Sequence, residues 1–374
     1  MQCINKLPPP TNSKKPRNSN LELYRIIVML LIIAHHYVVN SGLYEAIREA
    51  PMTASSSAML LFGAWGKTGI NCFVLITGYF MCKSAFSWEK LLKLYLQITF
   101  YAVIIYCIFC WTGHESFHPV RALKTLIPVK VIASDFTSSF LLFYLFIPFL
   151  NIFISHINKS QHRVLLLLLL TIYTVLPSIH MHLSFNYVSW FISIYMIASY
   201  IRIYGLDIRL SHRGWGILTL SLIVLSAASI LGLFAIYKLG YTTKFAPYYL
   251  VADSNKIFAI AIAVSSFMWF KDLKMPYSKL INAVGATTFG VLLIHANSDA
   301  MRTWLWGETV DTVGHFGESL LWTLGYATVS VIVVFVICSG IDWFRGKLIE
   351  PKLMRFFTSK SFIIKEKIKQ NGLI

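Results

Sequence analysis

The chain has 374 residues, of which 56% are hydrophobic and only 13% are charged. Soluble domains carry about 25% charged residues, so this composition excludes an ordinary soluble protein and predicts an integral membrane protein. The net charge of +17 would suit nucleic acid, but the chain has no nucleic-acid-binding motif, and its positive residues are distributed as in a membrane protein.

Long apolar runs with short polar connections recur from residue 21 to residue 341. Runs of about 18 to 25 apolar residues are typical of membrane-spanning helices. We therefore predict an all-α, polytopic membrane protein, a helix bundle of about ten transmembrane helices. The predicted helices cover residues 21–41, 58–82, 88–112, 136–157, 163–180, 187–204, 214–237, 254–270, 284–301 and 317–341.

The termini differ in composition from this helical region, and three regions are predicted. Residues 1–20 are rich in Pro, Asn, Ser and Lys and are expected to be disordered. Residues 21–341 form the transmembrane domain. Residues 342–374 form a basic tail, in which Phe and Ile alternate with Lys, and this tail is expected to lie on anionic lipid.

The distribution of Lys and Arg predicts the orientation in the membrane. The loops on the N-terminal side, together with both tails, hold 23 of these residues, and the opposite loops hold eight. Positive residues remain on the cytoplasmic side of a membrane. Both termini are therefore predicted to be cytoplasmic, and the number of spans to be even.

The first apolar run contains Arg25 and His36. At about 100° per residue these side chains stand on one face of a helix, about 16 Å apart along its axis, whereas His35 points away from Arg25. Such groups are unfavourable in a membrane helix unless they face protein or a water-filled cavity. We predict that Arg25 and His36 are catalytic and share a cavity. The alternative is that Arg25 extends to the interface and His36 is a buried core histidine.

The start of this helix carries the spacing of a capping box, Ser19 followed by Glu22. Glu22 also lies one turn before Arg25 and could hold its guanidinium in place. Both roles are compatible.

The second predicted helix carries two polar residues, Lys67 and Asn71, within an apolar run. They are four positions apart and so share a helix face. Lys67 falls in the outer half of this helix. We predict that both residues contact substrate. The alternative is that they form hydrogen bonds between helices.

Two later helices carry further candidates for substrate binding. Trp190 and Tyr195 offer rings that suit a saccharide, and an aromatic belt at the membrane interface is the alternative explanation. His295 is also predicted to bind substrate. It lies four residues before Asp299, so that a carboxylate could fix its tautomer. The alternative is a buried histidine that is hydrogen-bonded for packing.

The cysteines form no pattern that predicts a metal site. Cys107 and Cys110 have C-x-x-C spacing, but they lie on a hydrophobic helix without a second Cys or His pair. No metal site is predicted. The sequence also lacks the GxGxxG, Walker and GxSxG motifs.

An Arg followed eleven positions later by a His in the first helix resembles the acyltransferase 3 family, in its branch of membrane sugar and polysaccharide O-acetyltransferases. Later segments are similar to the family in order and spacing: Cys72 to Tyr79, Pro148 to Asn151, Trp190 to Arg202, and Thr288 to His295. One departure is Asp135-Phe136, where many relatives have Trp-Phe near the start of the fourth helix. If the Trp of the relatives helps to bind the acceptor, this chain differs from them in acceptor specificity.

The resemblance implies that residues 21–341 are an acyltransferase domain in a bacterial cytoplasmic membrane. It implies transfer of an acyl group, usually acetyl, from acyl-CoA to a hydroxyl of a cell-surface or lipid-linked saccharide. His36 would be the general base. No permanently bound cofactor is expected, and acetyl-CoA would be a co-substrate. The expected partners are membrane lipid, acyl-CoA and the saccharide acceptor, and the sequence sets no oligomeric state.

The phosphates of CoA cannot cross hydrocarbon unaided, so donor-binding residues are expected on the cytoplasmic side. Arginine suits phosphate because it is permanently charged and bidentate. The predicted donor-binding residues are Arg25, Arg202, Arg209 and Arg213. Arg209 and Arg213 would present two cations on one face if this segment is helical.

A proton-coupled transporter or flippase for a lipid-linked sugar is the alternative function, since it would also place His, Lys and Arg among membrane helices. Such transporters often have inverted repeats with broken helices in corresponding halves. The sequence has no such internal symmetry, and the pair in the first helix favours the acyltransferase.

Overall fold

The computed structural model describes residues 18–127, 136–181 and 186–358, and within these ranges the chain forms helices and no strands. This confirms the all-α prediction. The first eight helices are α1 Ser19–Val39, α2 Leu43–Glu49, α3 Ala54–Phe62, α4 Gly66–Met81, α5 Trp88–Trp111, α6 Pro119–Leu126, α7 Phe136–His156 and α8 Lys159–Leu170. The later helices are α9 Leu176–Ser178, α10 Tyr187–Tyr204, α11 His212–Lys238, α12 Ile257–Lys271, α13 Lys279–Gly285, α14 Thr288–His295, α15 Asp299–Arg302 and α16 Leu320–Phe344. Three π-helical segments, Thr171–Val175, Thr303–Thr309 and Arg345–Ile349, continue α8, α15 and α16.

Among the described residues, seven helices are long and apolar enough to cross a membrane, or eight if one bent pair is counted as a single span. The predicted count of ten is therefore not confirmed. Two predicted spans do not meet this criterion, although both form helices. They are α10 and the shorter apolar helix α12.

The predicted helix over residues 284–301 is broken. The segments Lys279–His295 and Asp299–Thr309 meet at an angle of 99°. The side chain of Ser298 accepts a hydrogen bond from the backbone N–H of Met301 at 3.2 Å and caps the second segment, which starts in a new direction. His295 and Asp299 therefore do not share the helix face that their spacing predicts.

Three glycines bring α3 and α4 against the helix that carries His36. A Cβ atom on Gly63, Gly66 or Gly69 would lie 2.6, 2.2 or 2.7 Å from the side chains of Val38, His35 and Ile32, respectively. The contacts step by three residues along both chains in opposite directions, as expected for antiparallel helices in close approach. Because no larger residue fits, these glycines set the position of α1.

Helix α4 lies at the centre of the bundle, packed against α1, α10 and α12. Several of its polar groups bond to neighbouring helices. The Tyr24 hydroxyl of α1 lies 2.9 Å from Sγ of Cys72 on α4 and 2.7 Å from Oγ of Ser266 on α12. The three helices are thus joined by hydrogen bonds as well as by apolar packing.

Polar contacts join the helix ends on the side of the bundle where α1 begins. Ser19 does not form the predicted capping box, because its Oγ instead accepts a hydrogen bond from the N–H of Ser278 at 2.9 Å. In the loop after α10, Asp207 accepts hydrogen bonds from Lys159 at 2.8 Å and from Tyr200 at 2.9 Å. Both hydrogen bonds lower the pKa of the Asp207 carboxyl, and the bond from Lys159 has the larger effect.

A buried ionic cluster joins α5 to the end of α16. Oδ1 of Asp342 accepts hydrogen bonds from Gln97, Tyr101 and Arg345, at 3.1, 2.8 and 2.8 Å. Arg345 in turn donates to Glu350 at 3.0 Å. The last helix continues through this cluster to residue 358, well past the predicted boundary at residue 341. Most of the predicted N-terminal tail, and the last part of the basic tail, lie outside the described residues.

Candidate functional site

A cavity of about 280 Å³ lies beside the C-terminal end of α1. It is bounded by α1, α4, α5, α7, the first turn of α10, and the chain on both sides of the break after α14. Its wall includes His36, Lys67, Asn297 and Arg302, together with apolar side chains. His36 is half-buried and lines this cavity, as the sequence predicts for a catalytic residue.

His36 is paired with a second histidine. Its Nδ1 lies 3.1 Å from Nε2 of His295, and Nδ1 of His295 lies 2.6 Å from the carbonyl oxygen of Val291. A carbonyl only accepts hydrogen bonds, so a neutral His295 carries its proton on Nδ1 and accepts through Nε2. His36 must then donate from Nδ1, which leaves a lone pair on its Nε2. The contacts thus assign to His36 the tautomer that a general base requires.

His295 itself is fully buried and is not among the described residues that line the cavity. Its predicted role was substrate binding. The position behind His36 instead matches that of a residue that orients a base from the side away from the substrate. Asp299 does not act on it through the predicted spacing, because the 99° break separates them.

His35 has a different environment from its neighbour. Its Nδ1 lies 2.7 Å from the carbonyl oxygen of Gly63 and donates to it, and its ring packs over Gly66. His35 also lines the cavity, although on the helix it points away from Arg25. The two rings differ in their hydrogen-bond partners. His35 joins α1 to α3, whereas His36 is held by another imidazole.

The two polar residues predicted on the second helix separate in the fold. Lys67 lines the cavity, and its Nζ donates to the Tyr187 hydroxyl at 3.0 Å. Asn71 is fully buried, where its amide donates to the Ser254 carbonyl at 2.6 Å and accepts from Nε1 of Trp190 at 2.9 Å. Asn71 and Trp190 thus bond to each other between α4 and α10.

Tyr195 is also fully buried and away from the cavity wall. Its hydroxyl donates to Oδ1 of Asn151 at 2.5 Å, which joins α10 to α7. Its ring packs against Gly78 of α4, where a Cβ would lie 3.1 Å from it. For Asn71, Trp190 and Tyr195, the predicted contact with substrate therefore has no support in the lining of this cavity.

Asn297 and Arg302 line the cavity and are not among the site residues predicted from the sequence. Arg302 donates to Asp299 at 2.8 Å, and its Nε is buried with no hydrogen-bond partner among the described residues. Helical spacing from His295 does not identify Arg302, because the 99° break after α14 separates the two residues. At the position where many relatives have Trp-Phe, this chain has Asp135-Phe136. Phe136 also lines the cavity, and Asp135 lies outside the described residues.

The described residues contain no group of three or more His, Cys, Asp or Glu that could hold a metal ion. The wall of the cavity offers two hydrogen-bonded imidazoles, His35 and His36, and two cations, Lys67 and Arg302. A family model for the acyltransferase domain (acyltransferase 3) matches residues 18–339. The chain belongs to this family. No curated protein and no solved structure gave a match.

The matched region of this membrane acyltransferase includes every predicted donor-binding arginine. Arg25 forms an ion pair with Glu22 at 3.1 Å, and it is not among the described residues that line the His36 cavity. The expected shared cavity is therefore not seen. Arg25 lies about three turns from His36, near the other end of the helix, with its guanidinium directed to Glu22.

The other three predicted donor-binding arginines of the acyltransferase lie in or beside the loop between α10 and α11. Arg202 donates to the Tyr79 hydroxyl at 2.9 Å and lies over its ring. Arg209 and Arg213 are exposed. They do not share a helix face as predicted, because Ser211 caps α11 and the helix begins at His212, after Arg209.

Proposed function

We propose that this membrane acyltransferase moves an acetyl group from acetyl-CoA to a hydroxyl of a saccharide. The observation that carries the proposal is the hydrogen-bonded series from Val291 through His295 to His36, which leaves Nε2 of His36 as an acceptor beside a cavity. A hydroxyl is a poor nucleophile until a base removes its proton, and an oriented neutral imidazole is suited to that task.

The proposed reaction uses His36 twice. Nε2 of His36 takes the proton of the acceptor hydroxyl while the hydroxyl oxygen attacks the thioester carbonyl carbon. The carbon–sulfur bond then breaks, and His36 returns the proton to the sulfur, so that the products are the acetyl ester and CoA thiol. His295 would hold the ring of His36 in place and accept the hydrogen bond from its Nδ1 throughout.

Donor and acceptor would approach from opposite ends of α1. The charge distribution of the loops supports a cytoplasmic N-terminus, so Arg25 would lie toward the cytoplasm and His36 toward the outside. The nucleotide of acetyl-CoA would bind near Arg25, with Arg202, Arg209 and Arg213 as further cytoplasmic candidates. The pantetheine arm would extend about 16 Å along the helix and bring the thioester to His36.

Transfer of labelled acetyl from acetyl-CoA tests this proposal. Membranes that contain the protein should acetylate a surface glycan, detected by mass spectrometry as the added mass of an acetyl group. His36→Ala should reduce turnover by roughly 10²–10⁴-fold, the contribution of a general base. His35→Ala, compared at equal amounts of membrane protein, should retain substantial activity. Equal turnover in wild-type and His36→Ala protein would overturn the assignment.

A further inference from the structure

The cavity that contains His36 also holds two cations. Lys67 from α4 and Arg302 from α15 both line it, and no Asp or Glu does so among the described residues. His36 and His35 on its wall are not anions in any protonation state. A partly enclosed site whose charged lining has one sign attracts ligands of the opposite sign.

Neither cation is neutralised inside the cavity. The hydrogen-bond partner of Lys67 is the phenol of Tyr187, and the carboxylate that attracts Lys67 is that of Asp253, on an exposed part of the outer loop. Arg302 pairs with Asp299, whose side chain is 93% exposed. Solvent screens such a pair. The Nε atom of Arg302 is buried and has no hydrogen-bond partner within the described part of the chain.

The phosphates of CoA are the obvious anions for these two side chains, but their position argues against that. Under the proposed function the nucleotide stays at the cytoplasmic end of α1, whereas Lys67 and Arg302 lie beside His36 at the other end. The anion in this cavity therefore belongs to the acceptor. Charge-assisted hydrogen bonds from two cations would also fix the orientation of the acceptor, and so the hydroxyl that is acylated.

We propose that the acceptor saccharide carries an anionic group, a carboxylate or a phosphate, which binds Lys67 and Arg302 while one hydroxyl contacts Nε2 of His36. This inference rests on the proposed function, which it sharpens by naming the class of acceptor. It predicts that neutral saccharides are poor ligands even when their hydroxyls match those of the true acceptor.

Binding of three related disaccharides to the purified protein in lipid nanodiscs tests the inference. Cellobiose is neutral, cellobiuronic acid replaces one hydroxymethyl with a carboxylate, and cellobiose 1-phosphate carries a phosphate. At least one acidic disaccharide should bind ten times or more tightly than cellobiose by calorimetry, with a preference that weakens as salt is added. The acid that is preferred distinguishes a carboxylate from a phosphate on the acceptor.

Paired substitutions separate charge from packing. Lys67→Gln keeps a donor for Tyr187 but loses the charge, and Lys67→Arg keeps the charge. Arg302→Gln and Arg302→Lys form the same pair at a partly exposed position, where loss of folding is a smaller risk. The neutral variants should lose the preference for acid, and the charged variants should keep most of it.

Three outcomes decide between the explanations. Equal binding of neutral and acidic disaccharides would overturn the inference, even if His36-dependent acetyl transfer is observed. Displacement of the acid by adenosine 3′,5′-bisphosphate, the charged end of CoA, would assign the cations to the donor and overturn it as well. The protein could instead prefer the acid through Lys67 and Arg302 and yet transfer no acetyl group. That result would support the anion site and contradict the proposed function.

Discussion

At the scale of single residues, His295 should act on the rate through His36. It accepts from Nδ1 of His36 and is itself held by the Val291 carbonyl. His295→Leu removes the acceptor, so His36 is no longer held in the tautomer with a free Nε2. We expect kcat to fall at least about tenfold, a part of what a general base contributes, with KM for both substrates little changed. Steady-state kinetics with purified protein measures both constants.

His295→Gln is the matched control, because its side-chain amide can still accept a hydrogen bond from His36. It should recover much of the kcat that His295→Leu loses. A structural role for His295 would instead lower the amount of folded protein in both variants and leave kcat per folded molecule unchanged. A rise in acceptor KM at constant kcat would return His295 to the substrate-binding role predicted from the sequence.

At the scale of helices, the close approach of α1 to α3 and α4 should be intolerant of a single methyl group. A Cβ on Gly66 would lie 2.2 Å from Cβ of His35 and 2.4 Å from its Cγ. Gly66→Ala therefore forces α1 away from α4, and we expect a loss of about 1–3 kcal/mol, typical of overpacking. Thermal unfolding in detergent should show a clearly lower midpoint. Turnover should fall too, because His36 follows His35 on α1.

Gly325→Ala on α16 is the control, since a Cβ there meets no atom within 4 Å. Helix propensity alone favours Ala over Gly by up to about 1 kcal/mol, so this variant should be as stable as the wild type or more stable. If both substitutions lower the unfolding midpoint equally, the glycine contacts of α4 do not determine the position of α1.

The sequence predicted the helices better than the breaks within them. Apolar runs of spanning length are a local signal, so each of the ten predicted segments contains helix in the structure. The break after α14 depends on one serine cap at Ser298 and was missed. The pairing of His36 with His295 joins residues 259 positions apart, and nothing local in a single sequence records such a contact. Arg25 and His36 were accessible as candidates because a charged or titratable group in an apolar run stands out by itself.

For the whole molecule, the charge distribution predicts an orientation that labelling can test. Single cysteines in a cysteine-free background should react with a membrane-impermeant reagent from outside when placed at Arg121 or Lys244. A cysteine at Arg209 should react only after the membrane is opened, as should cysteines at Lys15 and Lys365, which lie outside the described residues. Arg209 and Lys244 are exposed, so access to the reagent is not limited by burial. External labelling at Arg209 would reverse the orientation and with it the side from which CoA enters.

Under the proposed function, donor binding and chemistry lie at opposite ends of α1. Arg25 is partly exposed near the N-terminal end of α1, and Glu22, its partner at 3.1 Å, is buried against Gly285. We expect Arg25→Ala to weaken acetyl-CoA binding at least tenfold, equivalent to about 1.4 kcal/mol. His36→Ala should bind acetyl-CoA normally and fail to transfer it. Calorimetry with purified protein measures both affinities.

The ion pair with Glu22 supplies the competing explanation, since loss of Arg25 also removes a cation from beside a buried carboxylate. A double substitution, Glu22→Gln with Arg25→Gln, removes both charges and decides between the two. If Arg25 only neutralises Glu22, the double variant should bind acetyl-CoA as the wild type does. If Arg25 contacts the donor, the double variant should stay as weak as Arg25→Ala, because a neutral amide cannot replace a guanidinium on a phosphate. Normal binding and turnover in Arg25→Ala itself would exclude Arg25 from the donor site.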